Sequence, residues 1–171
     1  RAGRVAKGQC YKLWTKGEDG GLAPFPLPEI LSTDITGLVL ELALWGTDDP
    51  SSLPFLNPPR ANDVAQAQKL LCQIGALDAH NRITDHGRAL ARHPVHVRLA
   101  HMVAKGGPDA PILAALLENR DPLPRTAPSD LSLRVAAVKD ARKFAQDHPY
   151  VANSAALKTI RNDAKRLKSV G

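Results

Sequence analysis

The sequence predicts a mainly α-helical protein, in which a winged-helix module with a small β-hairpin is followed by a helical bundle. Aromatic residues make up only 4% of the 171 residues, so the core must be built from Leu, Val, Ile and Ala, which favours helices. Apolar residues also recur at helical spacing in several segments, and stretches rich in glycine and proline separate these segments. The length is sufficient for one domain or for two small ones.

The first 46 residues are expected to form a strand, a linker and a helix. Residues 9–14 (QCYKLW) are a short segment with aromatic side chains, which is typical of a strand. Residues 16–28 contain three glycines and three prolines and should form no regular element. A helix capped by one of residues 32–34 and ended by Gly46 follows. Its predicted buried face comprises Ile35, Leu38, Val39, Leu42 and Ala43.

The winged-helix module is predicted to occupy residues 29–94. After its first helix, a second helix should begin near residue 62 or 63 and be ended by Gly75. Leu77 and Ile83 flank a polar turn, which predicts a small β-hairpin. Thr84 can then cap a short third helix. The order helix, helix, hairpin and helix is typical of a winged-helix module.

Residues 95–171 are predicted to form the helical bundle, because four segments in this region show helical periodicity. Ser129 is expected to cap the third helix. These segments are 96–105, 108–119, 129–147 and 153–168. The third helix should place Leu131, Val135, Val138 and Ala141 on one face. The last helix should bury Leu157, Ile160, Ala164 and Leu167.

The net charge of +6 is concentrated at the two ends of the chain. Residues 1–16 carry +5, residues 17–128 carry −4 and residues 129–171 carry +5. This asymmetry is compatible with a phosphate-rich partner. A solvated basic helix face near the end of the chain is the alternative explanation.

Cysteine and histidine usage predicts neither a disulfide framework nor a metal site. Cys10 and Cys72 are far apart and form no Cys-x-x-Cys pair, which points to a reducing compartment, for which we expect the cytoplasm. Five histidines lie between residues 80 and 101, but no acid or cysteine joins them at helical spacing. No apolar run approaches the roughly 20 residues of a membrane span, and we expect no signal peptide.

Two groups of cations are candidates for contact with a nucleic-acid backbone. In the region 82–105, five cations face a single acid, and the outer face of the last predicted helix also carries five. The candidates in the first group are Arg88, Arg92 and Arg98. The candidates in the second group are Lys158, Arg161 and Lys165. A solvated surface remains the alternative for both groups, and the dispersed aromatic residues do not predict base-specific recognition.

Several short motifs along the chain match those of one protein family. The chain begins with Arg1-Ala2-Gly3-Arg4, which matches the end of motif VI (Gln-Arg-x-Gly-Arg-Ala-Gly-Arg) of the DEAH-box ATP-dependent helicases. The family continues with a Gly-x-Cys-Tyr-x-Leu strand, which matches Gly8, Cys10, Tyr11 and Leu13. Further matches extend over most of residues 1–145. They are Pro28, Glu29 and Ile30; Leu40, Leu42 and Gly46; Phe55, Leu56, Pro58 and Pro59; Leu70, Leu71, Gly75, Ala76 and Leu77; and Ile83, Thr84, Gly87 and Arg88.

The segments LALWG, VRLAHM and LLENRDPL most resemble the bacterial HrpB-type members of this family. One departure is Val97, where the family has the proline of Pro-Arg-Leu. The resemblance implies that residues 1–28 are the tail end of the second RecA-like motor domain and a linker. It also implies that residues 29–94 are the winged helix and that residues 95–171 are the bundle known as HA2 or ratchet. We therefore expect the chain to be a C-terminal piece of a longer helicase.

By this resemblance, Arg1 and Arg4 are the arginine fingers that contact the γ-phosphate of ATP bound by the other motor domain. The complete protein would be an ATP hydrolase that uses ATP and Mg²⁺. This sequence contains no Gly-x-x-x-x-Gly-Lys-Ser/Thr phosphate loop and no Asp-Glu-x-His. We therefore expect the chain alone to bind no cofactor and to hydrolyse no ATP.

The function implied by the resemblance is that of an accessory region, which couples ATP hydrolysis in the motor domains to movement along single-stranded nucleic acid. The expected partners are single-stranded RNA, or DNA in its place, and the motor domains, with the protein acting as a monomer away from membranes. Two alternatives remain open. One is a stand-alone winged-helix module that recognises duplex DNA through the second helix. The other is a protein-docking module that uses the acidic middle of the chain.

Overall fold

The computed structural model describes residues 9, 11–23, 25–47 and 49–170. Within these residues the chain forms α-helices and no strand, so the prediction of a mainly α-helical protein is confirmed. The helices are α1 (Lys16–Gly21), α2 (Thr36–Trp45), α3 (Ala61–Gln73), α4 (Asp85–Leu90), α5 (Val97–Lys105), α6 (Ala110–Glu118), α7 (Leu131–Lys139), α8 (Ala141–Asp147) and α9 (Ser154–Val170).

The first hydrophobic core lies between α2, α3, α4 and the start of α5. The predicted face of α2 is buried except for Leu38, which is half-buried, and Leu40 is buried in addition. Gly46 ends α2 and Gly75 follows α3, both with a positive φ that glycine adopts without strain. The two glycines therefore end their helices as the sequence predicts.

The second hydrophobic core is the helical bundle formed by α6 to α9. All four residues predicted on the inner face of α9 are buried, which confirms that prediction. Helix α5 contributes to both cores, because Val97 and Ala100 are buried in the first while Leu99 and Met102 pack against the second. The division of the chain into domains at residue 94 stays a prediction.

The predicted β-hairpin is not formed in the described part of the chain. Leu77 and Ile83 make a single antiparallel bridge. The Asp78 carboxylate holds the turn between them by accepting hydrogen bonds from the backbone N–H groups of His80 and Arg82 at 2.8 and 2.9 Å. The ladder stops after this bridge, because α3 has just ended on one side and Thr84 already caps α4 on the other.

The predicted strand over residues 9–14 and the first part of the predicted linker are wrong where the structure describes them, whereas residues 22–23 and 25–28 form no helix or strand, as expected. Residues 9 and 11–14 do not form a strand, and α1 lies inside the expected linker. A capping box explains this helix: the Thr15 hydroxyl accepts a hydrogen bond from the Glu18 N–H, and the Glu18 carboxylate accepts one from the Thr15 N–H at 2.8 Å. These reciprocal bonds support a short helix despite its three glycines.

The single helix predicted over residues 129–147 is two helices, α7 and α8. Asp140 breaks it by adopting an extended conformation, and its carboxylate accepts hydrogen bonds from the N–H groups of Arg142 and Lys143. Aspartate competes for backbone donors in this way and so favours a cap over a helix interior. Asp130 caps α7 in place of the predicted Ser129, and Leu131 is 42% exposed instead of facing inward.

Candidate nucleic-acid interface

Arg88 is positioned by the tight attachment of α4 to the turn after α3. The Thr84 hydroxyl donates a hydrogen bond to the Gly75 carbonyl at 2.7 Å and accepts one from the Gly87 N–H at 3.0 Å. Arg88 is exposed, and with Trp45 it lines an open groove of about 570 Å³. This side chain is therefore available to a ligand.

The other two candidates of the first group lie at the surface around the start of α5. Arg92 follows α4 and Arg98 is in the first turn of α5, and both are exposed. The His96 side chain caps α5 by accepting a hydrogen bond from the Arg98 N–H, and its Nε2 lies 3.2 Å from the Asp34 carboxylate. Neither arginine forms an ion pair with a residue that the structure describes.

Two histidines link α4 to α5. Nε2 of His86 lies 2.9 Å from Nδ1 of His101, with the rings edge to face. Burial lowers the pKa of His86, and the nearby His101 and Lys105 lower it further. His93 is also buried, its Nδ1 has no hydrogen-bond partner among the described residues, and burial lowers its pKa. No group of three or more metal-binding side chains exists in the described part of the chain.

These histidines predict that the protein loses stability as the pH falls from 7.5 to 5.5. The unfolded chain takes up a proton at each imidazole near pH 6.5, whereas the folded state, with its lowered pKa values, resists protonation. The free energy of unfolding therefore has its full value, as far as these imidazoles are concerned, above about pH 6.5, and it decreases as the pH falls below this value. Asp34 and Asp121 also have lowered pKa values, but as carboxylates they act below about pH 4.

Urea unfolding at several pH values measures this effect. The variant His86→Gln should show a shallower loss of stability between pH 7.5 and 5.5 than the unchanged protein. His80→Gln is the matched control, because His80 is an exposed residue of the turn. Equal pH dependence in all three proteins would contradict the assignment to His86.

The candidate cations of α9 are not equivalent. Lys158 and Lys165 are exposed, and neither forms an ion pair with a described residue. Arg161, in contrast, donates from Nε to the Val138 carbonyl at 2.7 Å and from Nη2 to the Ala137 carbonyl at 3.3 Å. It therefore satisfies carbonyl groups in the last turn of α7 and fastens that helix to α9.

Sequence reasoning missed three arginines around the loop between α6 and α7. Arg134 is almost fully buried and pairs with Asp121 at 2.7 Å, whereas Arg120 and Arg125 are exposed on the loop itself. The signal that could have found the buried pair is the RDPLPR segment followed by an arginine inside an apolar helix. Hydrophobic periodicity assigns that arginine to the surface of the helix, so the buried ion pair is not predicted.

The predicted arginine fingers, Arg1 and Arg4, lie outside the described residues, so their assignment stays a prediction. In the part of the chain that the structure does describe, no helix combines the length and the apolar character needed to cross a membrane.

Comparison with known proteins gives matches over most of the chain, although no protein-family model matches it. A mouse (Mus musculus) protein named as probable ATP-dependent RNA helicase DHX34 is 36% identical over 141 residues, which cover 80% of this chain and 12% of that protein. The ATP-dependent RNA helicase HrpB of Escherichia coli (strain K12) is 33% identical over 135 residues, which cover 78% of this chain and 17% of that protein.

The crystal structure of Escherichia coli DEAH/RHA helicase HrpB superposes with a TM-score of 0.66 and 28% identity, over 91% of this chain and 18% of that one. The chain spans less than a fifth of the length of each of these relatives. The similarity to these relatives in sequence and in fold thus agrees with the helicase motifs. The chain belongs to the family of DEAH-box ATP-dependent RNA helicases.

Proposed function

We propose that the chain is the accessory C-terminal region of an ATP-dependent RNA helicase and couples ATP hydrolysis in the motor domains to movement along single-stranded nucleic acid. The observation that carries this proposal is the similarity to HrpB in sequence and in fold, over 78% and 91% of the chain. ATP and Mg²⁺ would be bound by the motor domains of the complete protein, which would supply the hydrolysis.

The packing of α5 supports a coupling role. This helix buries side chains in the first core through Val97 and Ala100, and its residues Leu99 and Met102 pack against the bundle. Protein interiors are densely packed and transmit displacement instead of absorbing it. A motor domain that moves the first core would therefore also move the bundle and any strand that the bundle holds.

The exposed cations of the bundle predict weak binding of single-stranded RNA without sequence preference. Lys158 and Lys165 can contact phosphates, and each phosphate neutralised on a single strand contributes about 0.7 to the slope of log affinity against log salt. We expect micromolar or weaker affinity that falls with salt and is equal for poly-U and a mixed sequence. Fluorescence anisotropy of labelled oligonucleotides at two salt concentrations measures this.

The variant Lys158→Gln with Lys165→Gln tests where the RNA binds. It should weaken binding and reduce the salt slope, whereas Arg60→Gln with Lys69→Gln removes one exposed charge just before α3 and one within it and should leave binding unchanged. Arg161 is left in place because its loss would remove the hydrogen bonds that join it to the carbonyl groups of α7. No binding by the unchanged chain at low salt would contradict an RNA contact in the bundle, and preference for one duplex DNA sequence would favour the stand-alone winged-helix alternative.

A further inference from the structure

The loop between α6 and α7, residues 119–130, is held in one conformation by a buried arginine. The Arg134 side chain is only 9% exposed. Its Nε and Nη2 donate to both carboxylate oxygens of Asp121, with the shortest distance at 2.7 Å. Its Nη1 donates to the carbonyl oxygens of Asp130, at 2.9 Å, and Pro128. One guanidinium thus fixes both ends of the loop.

Other contacts hold the middle of this loop. The Asn153 N–H, at the start of α9, donates to the Pro122 carbonyl at 2.8 Å. Leu123 and Ala127 are buried in the core of the bundle. The loop therefore has little conformational freedom left. A ligand that binds to it would lose little affinity to the entropy cost of ordering the loop.

The ordered loop presents two arginines beside an open groove. Arg120 and Arg125 are exposed, and neither forms an ion pair with a residue in the described part of the chain. Both line a groove of about 670 Å³, together with Leu123, Val151 and Asn153. We refer to it as the arginine groove. The Asp121 carboxylate, which also lines it, is already paired with Arg134. The two exposed guanidinium groups therefore leave the arginine groove with a net positive charge.

A second, more apolar groove continues from the first. It has a volume of about 380 Å³ and shares Val151 and Ala152 with the arginine groove. Phe144, His148 and Tyr150 also line it. Val151, at the junction, is 86% exposed, whereas its neighbours Tyr150 and Ala152 pack against the core of the bundle. A cationic surface, which suits a phosphate, thus lies beside an apolar surface, which suits the face of a base.

We propose that the arginine groove binds one backbone phosphate of a single-stranded nucleic acid between Arg120 and Arg125, with the adjoining base against Val151 and Tyr150. Guanidinium groups suit this role because their planar forks can contact phosphate oxygens in pairs. A duplex would keep its bases stacked and so could not place one in the second groove. This inference rests on the proposed function for its ligand, and it adds a contact site that is separate from the lysines of α9.

Anisotropy of a labelled U10 oligonucleotide at low salt tests the arginine groove. Arg120→Gln with Arg125→Gln should weaken binding about tenfold, because charge-assisted hydrogen bonds to the phosphate are lost. The salt slope should fall by about 0.7, the contribution of one phosphate on a single strand. Arg120→Lys with Arg125→Lys keeps the charge but not the fork, so it should restore the slope and only part of the affinity. Val151→Glu, at an exposed position, should also weaken binding.

The matched control is Arg60→Gln with Lys69→Gln, which removes the same charge just before α3 and within it and should bind as the unchanged chain does. Thermal unfolding of each variant confirms that it is folded. Binding that is unchanged in the groove variants but reduced by Lys158→Gln with Lys165→Gln would overturn the groove and leave the proposed function standing. No binding by the unchanged chain at low salt would overturn every RNA contact proposed in the bundle, the arginine groove included, and would leave the accessory role, which rests on the similarity to HrpB, standing. An equal loss in the control, or competition by an acidic peptide but not by uridine monophosphate, would also overturn the groove as a nucleotide site.

Discussion

Replacement of Arg1 or Arg4 by alanine in the complete helicase is expected to lower ATP turnover by about 10³- to 10⁵-fold. Both residues match the end of motif VI, and they lie outside the described residues, so the expectation rests on that match. A guanidinium that contacts the γ-phosphate stabilises the charge that develops as the phosphoryl group is transferred. Because this interaction strengthens in the transition state, its loss should reduce kcat while nucleotide affinity changes little.

Steady-state hydrolysis and binding of a fluorescent nucleotide separate these two quantities. Arg60→Ala is the matched control, because it removes an exposed arginine at the start of α3. If either motif VI variant retained the turnover of the unchanged protein, that arginine would not be a finger. If nucleotide binding were lost together with turnover, the residue would act in binding the ground state instead.

Gly87→Ala is expected to destabilise the fold by about 3 kcal/mol or more, which exceeds the usual cost of overpacking because the obstacle is backbone. A Cβ at this position would lie 2.2 Å from the Ala76 carbonyl oxygen and 2.9 Å from Cγ1 of Ile83. The same carbonyl accepts a hydrogen bond from the Thr84 N–H at 3.0 Å, and the Thr84 hydroxyl oxygen lies 3.1 Å from it. It cannot move without breaking the attachment of α4 to the turn after α3.

Urea unfolding measures this change, and Gly37→Ala provides the control. Gly37 lies in the first turn of α2, and a Cβ added there would meet no atom within 4 Å. Because alanine is the better helix former, the control should lose no stability. A Gly87→Ala protein as stable as the control would show that α4 can shift away from Ala76 at little cost.

The sequence alone was sufficient for most of the helices and for the family. The inner face of α9 follows directly from the spacing of Leu157, Ile160, Ala164 and Leu167, because a helix places residues three and four apart on one side. Gly46 and Gly75 end their helices because both have a positive φ, which glycine adopts without the steric cost of a side chain. The helicase motifs are likewise defined by the order of residues, so they can be found without a structure.

Local side-chain competition explains the errors in secondary structure. Asp140 interrupts the helix predicted over residues 129–147, because its carboxylate binds the N–H groups of Arg142 and Lys143. Thr15 and Glu18 stabilise α1 where the glycine content predicts a linker. In both places the outcome depends on one or two hydrogen bonds, and the apolar periodicity contains no information about them.

The family, the helical class and the inner face of α9 follow from the sequence alone, since these depend on the order and spacing of side chains. What each cation does is visible only in the folded protein. Arg161 belongs to the same basic stripe as Lys158, yet its guanidinium binds carbonyl groups of α7. Arg134 is buried and holds a loop, whereas Arg120 and Arg125 are exposed on that loop. The charge pattern of a sequence shows where the cations lie along the chain. It does not show which groups they bind, because those groups can come from distant parts of the chain and meet the cations only after folding.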